Sequence, residues 1–309
     1  MAKIFNTLET DAAVKLMYYC SKVLGLITFV HISNTSNFES KISVPCLTWT
    51  VFLMLFYSTV YVSDFVYEIR SYDRNSLYEF VGISSKFFCF CCYAIDVLML
   101  SVNRRNLVKV MDKLIHLDRT LRPKNGKKLI FVIFQLCVTF TLVASSAVNY
   151  WLNVKACANT FLIIVPIAFS AQFVEFHFSN FVRLLAQHFS YIDSVLETAY
   201  SPAKSRNVKS TGSVRITRLL MSLHGAVCDV SALVNYIYSP IMLMGAGQIF
   251  VIAIYVLYYS VARFLGFNTP EVNLAMHIGV LSCILKLLIV IPPCYWCSCE
   301  VRKGNNNFT

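Results

Sequence analysis

The chain has 309 residues, of which 57% are hydrophobic and 14% charged, with ten glycines and a net charge of +11. That is far too apolar for a soluble domain of this length, and it points to a membrane protein. The positive excess does not imply nucleic acid, because no basic stretch is interleaved with aromatics on a soluble surface; Lys and Arg collect in the cytosolic loops of membrane proteins.

In chain order, residues 14–30 are apolar apart from interruptions such as Lys15 and Lys22, and no small-residue cleavage site follows. This predicts an amphipathic helix at the membrane surface rather than a signal peptide. Residues 1–41 are read as a cytosolic N-terminal segment. Residues 42–63 carry no charge and form a first span. A second, residues 78–102, contains Lys86 and Asp96. Further spans are expected at 129–149, 158–176, 238–261 and 272–295, the last holding Lys286. The fold class is therefore all-α: a polytopic bundle of six spans with both termini in the cytosol.

The basic residues fix that orientation. Twenty-one Lys and Arg fall in the N-terminal arm, the 2–3 loop, the 4–5 loop and the tail, against four on the other side. The richer side faces the cytosol. This inverts the topology of a rhodopsin-type receptor.

Two spans are expected to continue beyond the membrane. After the fourth, Phe181, Leu185, Phe189, Ile192 and Leu196 repeat at helical spacing, with Arg183, His188 and Asp193 on the polar side. Before the fifth, Ile216, Leu219, Leu220, Leu223, Val227, Val230, Val234 and Ile237 make a second stripe. Residues 201–211 read SPAKSRNVKST, a basic loop that buries no core. The organisation is thus spans one to four over 42–182, a cytosolic helical hairpin and loop over 183–237, spans five and six over 238–296, and a cytosolic tail over 297–309. The hairpin's stripes pack within one subunit or serve assembly.

The residues of the second stripe also resemble a family. Leu220, Leu223-His224, Cys228, Leu233-Val234-Asn235 and Tyr238-Ser239-Pro240-Ile241 are similar to the segment before the fifth membrane helix of insect gustatory receptors. Ser21-Lys22-Val23-Leu24-Gly25-Leu26 resembles the family's N-terminal helix, the run Arg104 to Leu121 its first cytosolic loop, and Gln172-Phe173 through Phe189 and Ile192 its fourth helix. The resemblance implies a ligand-gated cation channel with a cytosolic N-terminus, sensing small tastants at the plasma membrane as a homo- or hetero-tetramer. The family closes with a seventh span that lines the central pore. Here Cys297-Ser-Cys299-Glu300 resembles its start, but VRKGNNNFT follows, so the resemblance implies a chain truncated before the pore helix.

Ionisable residues inside spans cost roughly 2.5–3.5 kcal/mol on insertion scales and are functional candidates. These are Lys86, Asp96, Glu175 and Lys286. Asp96 is matched with Lys286 or a cytosolic arginine. Lys286 is expected to face the bundle interior, for packing or for ligand contact; Glu175 and His177, at the inner end of span four, are expected to snorkel to water. A tastant pocket belongs in the outer halves of the spans, with Ser85, Lys86, Asn149, Tyr150, Trp151, Gln248, Tyr255, Tyr259 and His277 as candidate lining. Tyr150, Trp151 and Tyr259 also fit an interfacial aromatic belt.

Most of the twelve cysteines lie in apolar runs, where packing is the default. Cys294 and Cys297 have metal spacing without a second pair, so no metal or other cofactor is expected. The chain shows no glycine-rich phosphate loop, zincin His pair or nucleophile elbow, so it is not read as an enzyme. Asn34 and Asn307 match the glycosylation pattern but fall in predicted cytosol, and neither is expected to be modified. A secondary transporter is the alternative to the receptor; it needs midplane charges near broken helices.

Overall fold

The computed structural model describes residues 2–31, 38–71, 77–121, 133–138, 140–141, 144, 158–200, 210–265 and 274–308. Helix α1 spans Ala2–Val23 and is followed by a two-stranded antiparallel ribbon, β1 (Phe29–His31) and β2 (Phe38–Ile42). Then come α2 (Val44–Ser71), α3 (Leu77–Val102), α4 (Arg104–Leu121), α5 (Ala158–Tyr200), α6 (Ser210–Phe264) and α7 (Leu274–Phe308). The fold is a helical membrane bundle, as expected, with the ribbon its one addition.

The lengths follow from the pattern. At about 1.5 Å per residue, the 43 residues of α5 and 55 of α6 are each at least twice as long as the roughly 30 Å hydrocarbon layer. Both helices therefore project well beyond a membrane, and neither breaks where composition changes, at residues 183 and 238. The residues after 296, expected as a separate tail, are the last turns of α7.

The centre of the bundle is α5 rather than the α6 stretch with the longest apolar run. α5 touches α1, α2, α3, α4, α6 and α7, most extensively α7. Its predicted stripe of Phe181, Leu185, Phe189, Ile192 and Leu196 is fully buried, and α6 answers with Leu220, Val227, Val230, Val234 and Ile237. Leu219, counted in that stripe, faces outward instead. His188 and Asp193, expected on the polar side of α5, are also buried, because α4 and α7 cover that side.

Helix α1 packs on α4 and α5. Ala13, Val14, Met17, Tyr18 and Ser21 are its buried face, set against an α4 that buries Leu107, Val110, Met111 and Leu114. The two amphipathic helices thus turn their apolar stripes to the protein interior. The end of α1 is a Schellman motif: Leu26 N–H donates to Ser21 O at 2.9 Å and Gly25 N–H to Lys22 O at 3.1 Å. Gly25 has φ +70°, and a Cβ there would sit 2.8 Å from Leu53 Cδ1. Thr50 Oγ1 and Trp49 Nε1, from α2, donate to the Gly25 and Val23 carbonyls, each at 2.9 Å. The SKVLGL signature is thus the corner that fixes α1 to α2.

Candidate functional site

A helix surrounded on all sides has nowhere solvated to put its polar groups, so each must find a partner. Several of those on α5 do so on different neighbours. Glu175 meets Lys286 of α7 at 3.2 Å, and His177 Nδ1 shares a 2.7 Å hydrogen bond with Tyr238 Oη of α6. Ser179 Oγ donates to Ile289 O of α7 at 2.9 Å. Ile289 lies four residues before Pro293, which has no N–H to close the helical bond, so the serine supplies the missing donor. Asn180 Nδ2 donates to Gln135 Oε1 at 2.6 Å. Further along, His188 Nδ1 lies 2.6 Å from Leu184 O and Nε2 3.6 Å from Asp118 Oδ1 of α4. A carbonyl only accepts, so Nδ1 carries the proton and donates to Leu184 O.

The densest part is the layer around Glu175. Asp96 of α3 is buried within electrostatic reach of both Glu175 and Lys286. Both carboxyl groups therefore lie in the field of one ammonium. Gly245 of α6 makes the room: a Cβ at that position would lie 2.9 Å from Glu175 Oε1. Four helices, α3, α5, α6 and α7, meet here through charge and hydrogen bonding. Glu175 and His177 turn inward instead of snorkelling, because α6 and α7 present Tyr238 and Lys286 to them. Lys286 is matched first with Glu175, and Asp96 joins the pair as a third member.

Toward the end of the bundle that carries most basic residues, a cavity of about 510 Å³ opens between α5, α6 and α7. Phe178 and Phe189 form one wall, Cys228 and Asn235 the second, Cys297 and Ser298 the third. Burial, with Cys294, Cys228 and Glu300 nearby, pushes the Cys297 thiol up to about 11, so it stays protonated and lines the wall as a small, weakly polar group. Burial also lowers His224 from its ordinary value, leaving a neutral ring edge-on to Phe189 at 5.3 Å, with Nδ1 3.7 Å from Cys228 Sγ.

The polarity of this bundle is inverted relative to a soluble protein. Asp96, Glu175, His177 and Lys286 are inside, while Leu55, Leu243, Phe250, Leu257 and Leu288 point outward, each more than half exposed. Val44–Ser63 and Thr217–Ile254 are long and apolar enough to cross a membrane, yet less than a third of each tested window is buried within the protein. A soluble core helix would be mostly buried; these present their apolar side to lipid. On this helical frame, the model of the 7tm chemosensory receptor matches residues 14–306. The chain belongs to that family. None of the curated proteins compared with it matches the sequence.

In this chemosensory receptor the residues that carried the resemblance acquire physical roles. Leu220, Val234, Tyr238 and Ile241 are buried on α6, Cys228 lines the cavity, and His224 packs on the cavity residue Phe189. Among the residues proposed for a tastant pocket, Gln248 is buried on α6, one turn beyond Gly245. Ser85 and Lys86 lie on α3, Tyr255 and Tyr259 on α6 and His277 on α7, with side chains outside the described set. Asn149, Tyr150 and Trp151 fall outside the described residues altogether. The reading missed the share of Tyr238, Ser179 and Gly245 in the polar layer. Only Tyr238 left a signal, as part of the family-like run; the other two matter through the helix opposite them.

Proposed function

We propose that this chemosensory receptor is a subunit of an insect gustatory-type, ligand-gated cation channel at the plasma membrane. Its ligands are small tastants, and it works as a homo- or hetero-tetramer with receptors of the same type. It spans the membrane six times within residues 42–296, with both ends in the cytosol; it is not an enzyme, needs no cofactor and does not bind nucleic acid. The supporting observation is the family match along almost the whole chain, on a bundle whose polar residues face inward and whose apolar residues face lipid. The buried layer at Glu175, Lys286 and Asp96 suits a receptor because it joins four helices by interactions that have discrete alternatives, and a ligand that shifts one helix must re-pair the charges.

The transporter reading draws on the same layer: Pro240 lies in α6 near Gly245, and Pro292 and Pro293 in α7 near Lys286. Both helices stay continuous, which favours the receptor. The test is whole-cell recording from cells expressing the chain with and without other gustatory-type subunits, under a panel of sugars and bitter compounds. Ligand-evoked cation conductance is expected when the chain is co-expressed with other gustatory-type subunits, and none when it is expressed alone. Substrate uptake coupled to ion flux, with no ligand-gated conductance, would replace the receptor by the transporter. Epitope tags at either terminus should label only after permeabilisation; labelling of intact cells would overturn the orientation.

A further inference from the structure

Helix α4 leaves α3 through a single residue. The backbone N–H of Asn103 donates to Met99 O at 3.0 Å, its side-chain amide to the same carbonyl at 3.1 Å, and its own carbonyl accepts from Leu107 N–H at 2.9 Å. The turn is therefore fixed, and Arg104 and Arg105 are held where α3, which carries the Phe90–Val102 apolar stretch, ends. Arg104 is tethered there, with Nη1 3.4 Å from Ser101 O.

Beyond the turn, α4 cannot roll. Leu107, Val110, Met111, Leu114, Leu117 and Leu121 are buried against the bundle. What this leaves outside is an ordered stripe: Arg105, Lys109, Lys113, His116 and Arg119 follow at steps of four, four, three and three, all exposed. Asp112 shares that side, half-buried. Asp118 is turned inward to His188, and Asp229 of α6 is engaged by Lys113 at 3.7 Å. The stripe is thus most positive at the end nearest the membrane, at Arg104, Arg105 and Lys109.

We infer that this end of α4 is a docking surface for anionic lipid headgroups of the adjoining leaflet, multiply phosphorylated ones above all. The argument is charge complementarity combined with position. Clustered basic residues directly after a span lie within a Debye length of the leaflet surface, and each is worth about 1 kcal/mol of attraction to anionic lipid. Guanidinium forks at Arg104 and Arg105 pair with phosphate oxygens in two-point contacts, and the Lys109 ammonium adds a point charge one turn further on. Because α4 packs directly on α5 and α6, a lipid held here bears on the helices that carry the polar layer.

The test titrates phosphatidylinositol 4,5-bisphosphate into the purified full chain and counts bound lipid by native mass spectrometry. Wild type is expected to retain the lipid with an affinity that falls as salt rises. Arg105→Gln with Lys109→Gln should weaken it about thirty-fold, at about 1 kcal/mol per charge. Arg218→Gln with Arg302→Gln removes the same charge from exposed positions elsewhere and should leave affinity unchanged. Equal loss in both double variants, or in neither, would overturn the proposal. So would protection by soluble inositol phosphates with no effect of lipid, which would assign the stripe to a cytosolic polyanion. Should the stripe variant not fold, amine footprinting of wild type in nanodiscs decides: the lipid should shield Lys109 from acylation and leave Lys303 reactive, and equal reactivity of Lys109 with and without lipid would refute docking.

Discussion

At the scale of single residues, Glu175, Lys286 and Asp96 form an unequal set, and the inequality is measurable. Removing one partner of a buried ion pair costs about 3–5 kcal/mol, because the other charge is left uncompensated. Lys286→Met leaves Glu175 without its ammonium, with the Asp96 carboxyl still beside it, and should cost the upper part of that range. Glu175→Gln leaves Asp96 to balance Lys286 and should cost clearly less. Thermal unfolding of the two variants in detergent checks this, and equal losses would show that Asp96 takes no part. The charges themselves were legible as intramembrane oddities in the sequence. Their pairing was not, since Glu175 and Lys286 are 111 residues apart and meet only because α5 and α7 pack along each other.

Between elements, most of the selective contacts are polar. In lipid the hydrophobic effect gives helices little reason to prefer one register over another, so packing and interhelical hydrogen bonds decide it. The chain places such keys on three neighbours of α5: Tyr238 on α6, Lys286 and the Ile289 carbonyl on α7, Asp118 on α4. The corner at Gly25 acts similarly outside the bundle. Gly25→Ala forces a Cβ onto a left-handed backbone and against Leu53, so it should destabilise the α1–α2 corner by roughly 1–3 kcal/mol. Limited proteolysis should then release α1 before the rest of the chain unfolds; an unchanged digestion pattern would mean that the corner relaxes freely. The run SKVLGL carried only a family resemblance in the sequence; the contact with Leu53 that makes alanine costly belongs to the tertiary structure.

For the molecule as a whole, the joint between α5 and α7 carries a pH dependence. Asp193 is buried near the far end of α5, its carboxylate oxygens have no hydrogen-bond partner among the described residues, and it faces Glu300 and Lys303 of α7 as well as Glu197 of its own helix. Burial, then the Glu300 and Glu197 carboxylates, raise it from 3.8 to about 6 against the opposing Lys303. A carboxyl that binds its proton more tightly folded than unfolded stabilises the fold below its unfolded value, and loses that contribution as pH rises through its folded value. Wild type should therefore gain stability through this group as pH falls from about 7 to about 4. Asp193→Asn should abolish that increment and raise the melting temperature at neutral pH. Melting curves at pH 5 and 7.5 decide it, and an unchanged difference between the two would place the carboxylate in water.

The sequence by itself determined the solvent, the helical class and the long extensions of α5 and α6. Each of these is a local property: the run of uncharged residues needed to cross hydrocarbon, or a stripe repeated every three to four positions. It set Glu175 and His177 facing water and put His188 and Asp193 on a polar side of α5. Those errors share a cause, because periodicity tells which side of a helix is apolar and says nothing of what covers the other side. Only the tertiary structure put α5 in the middle, and once a helix is enclosed on every side its polar residues must pair with whichever neighbours reach them.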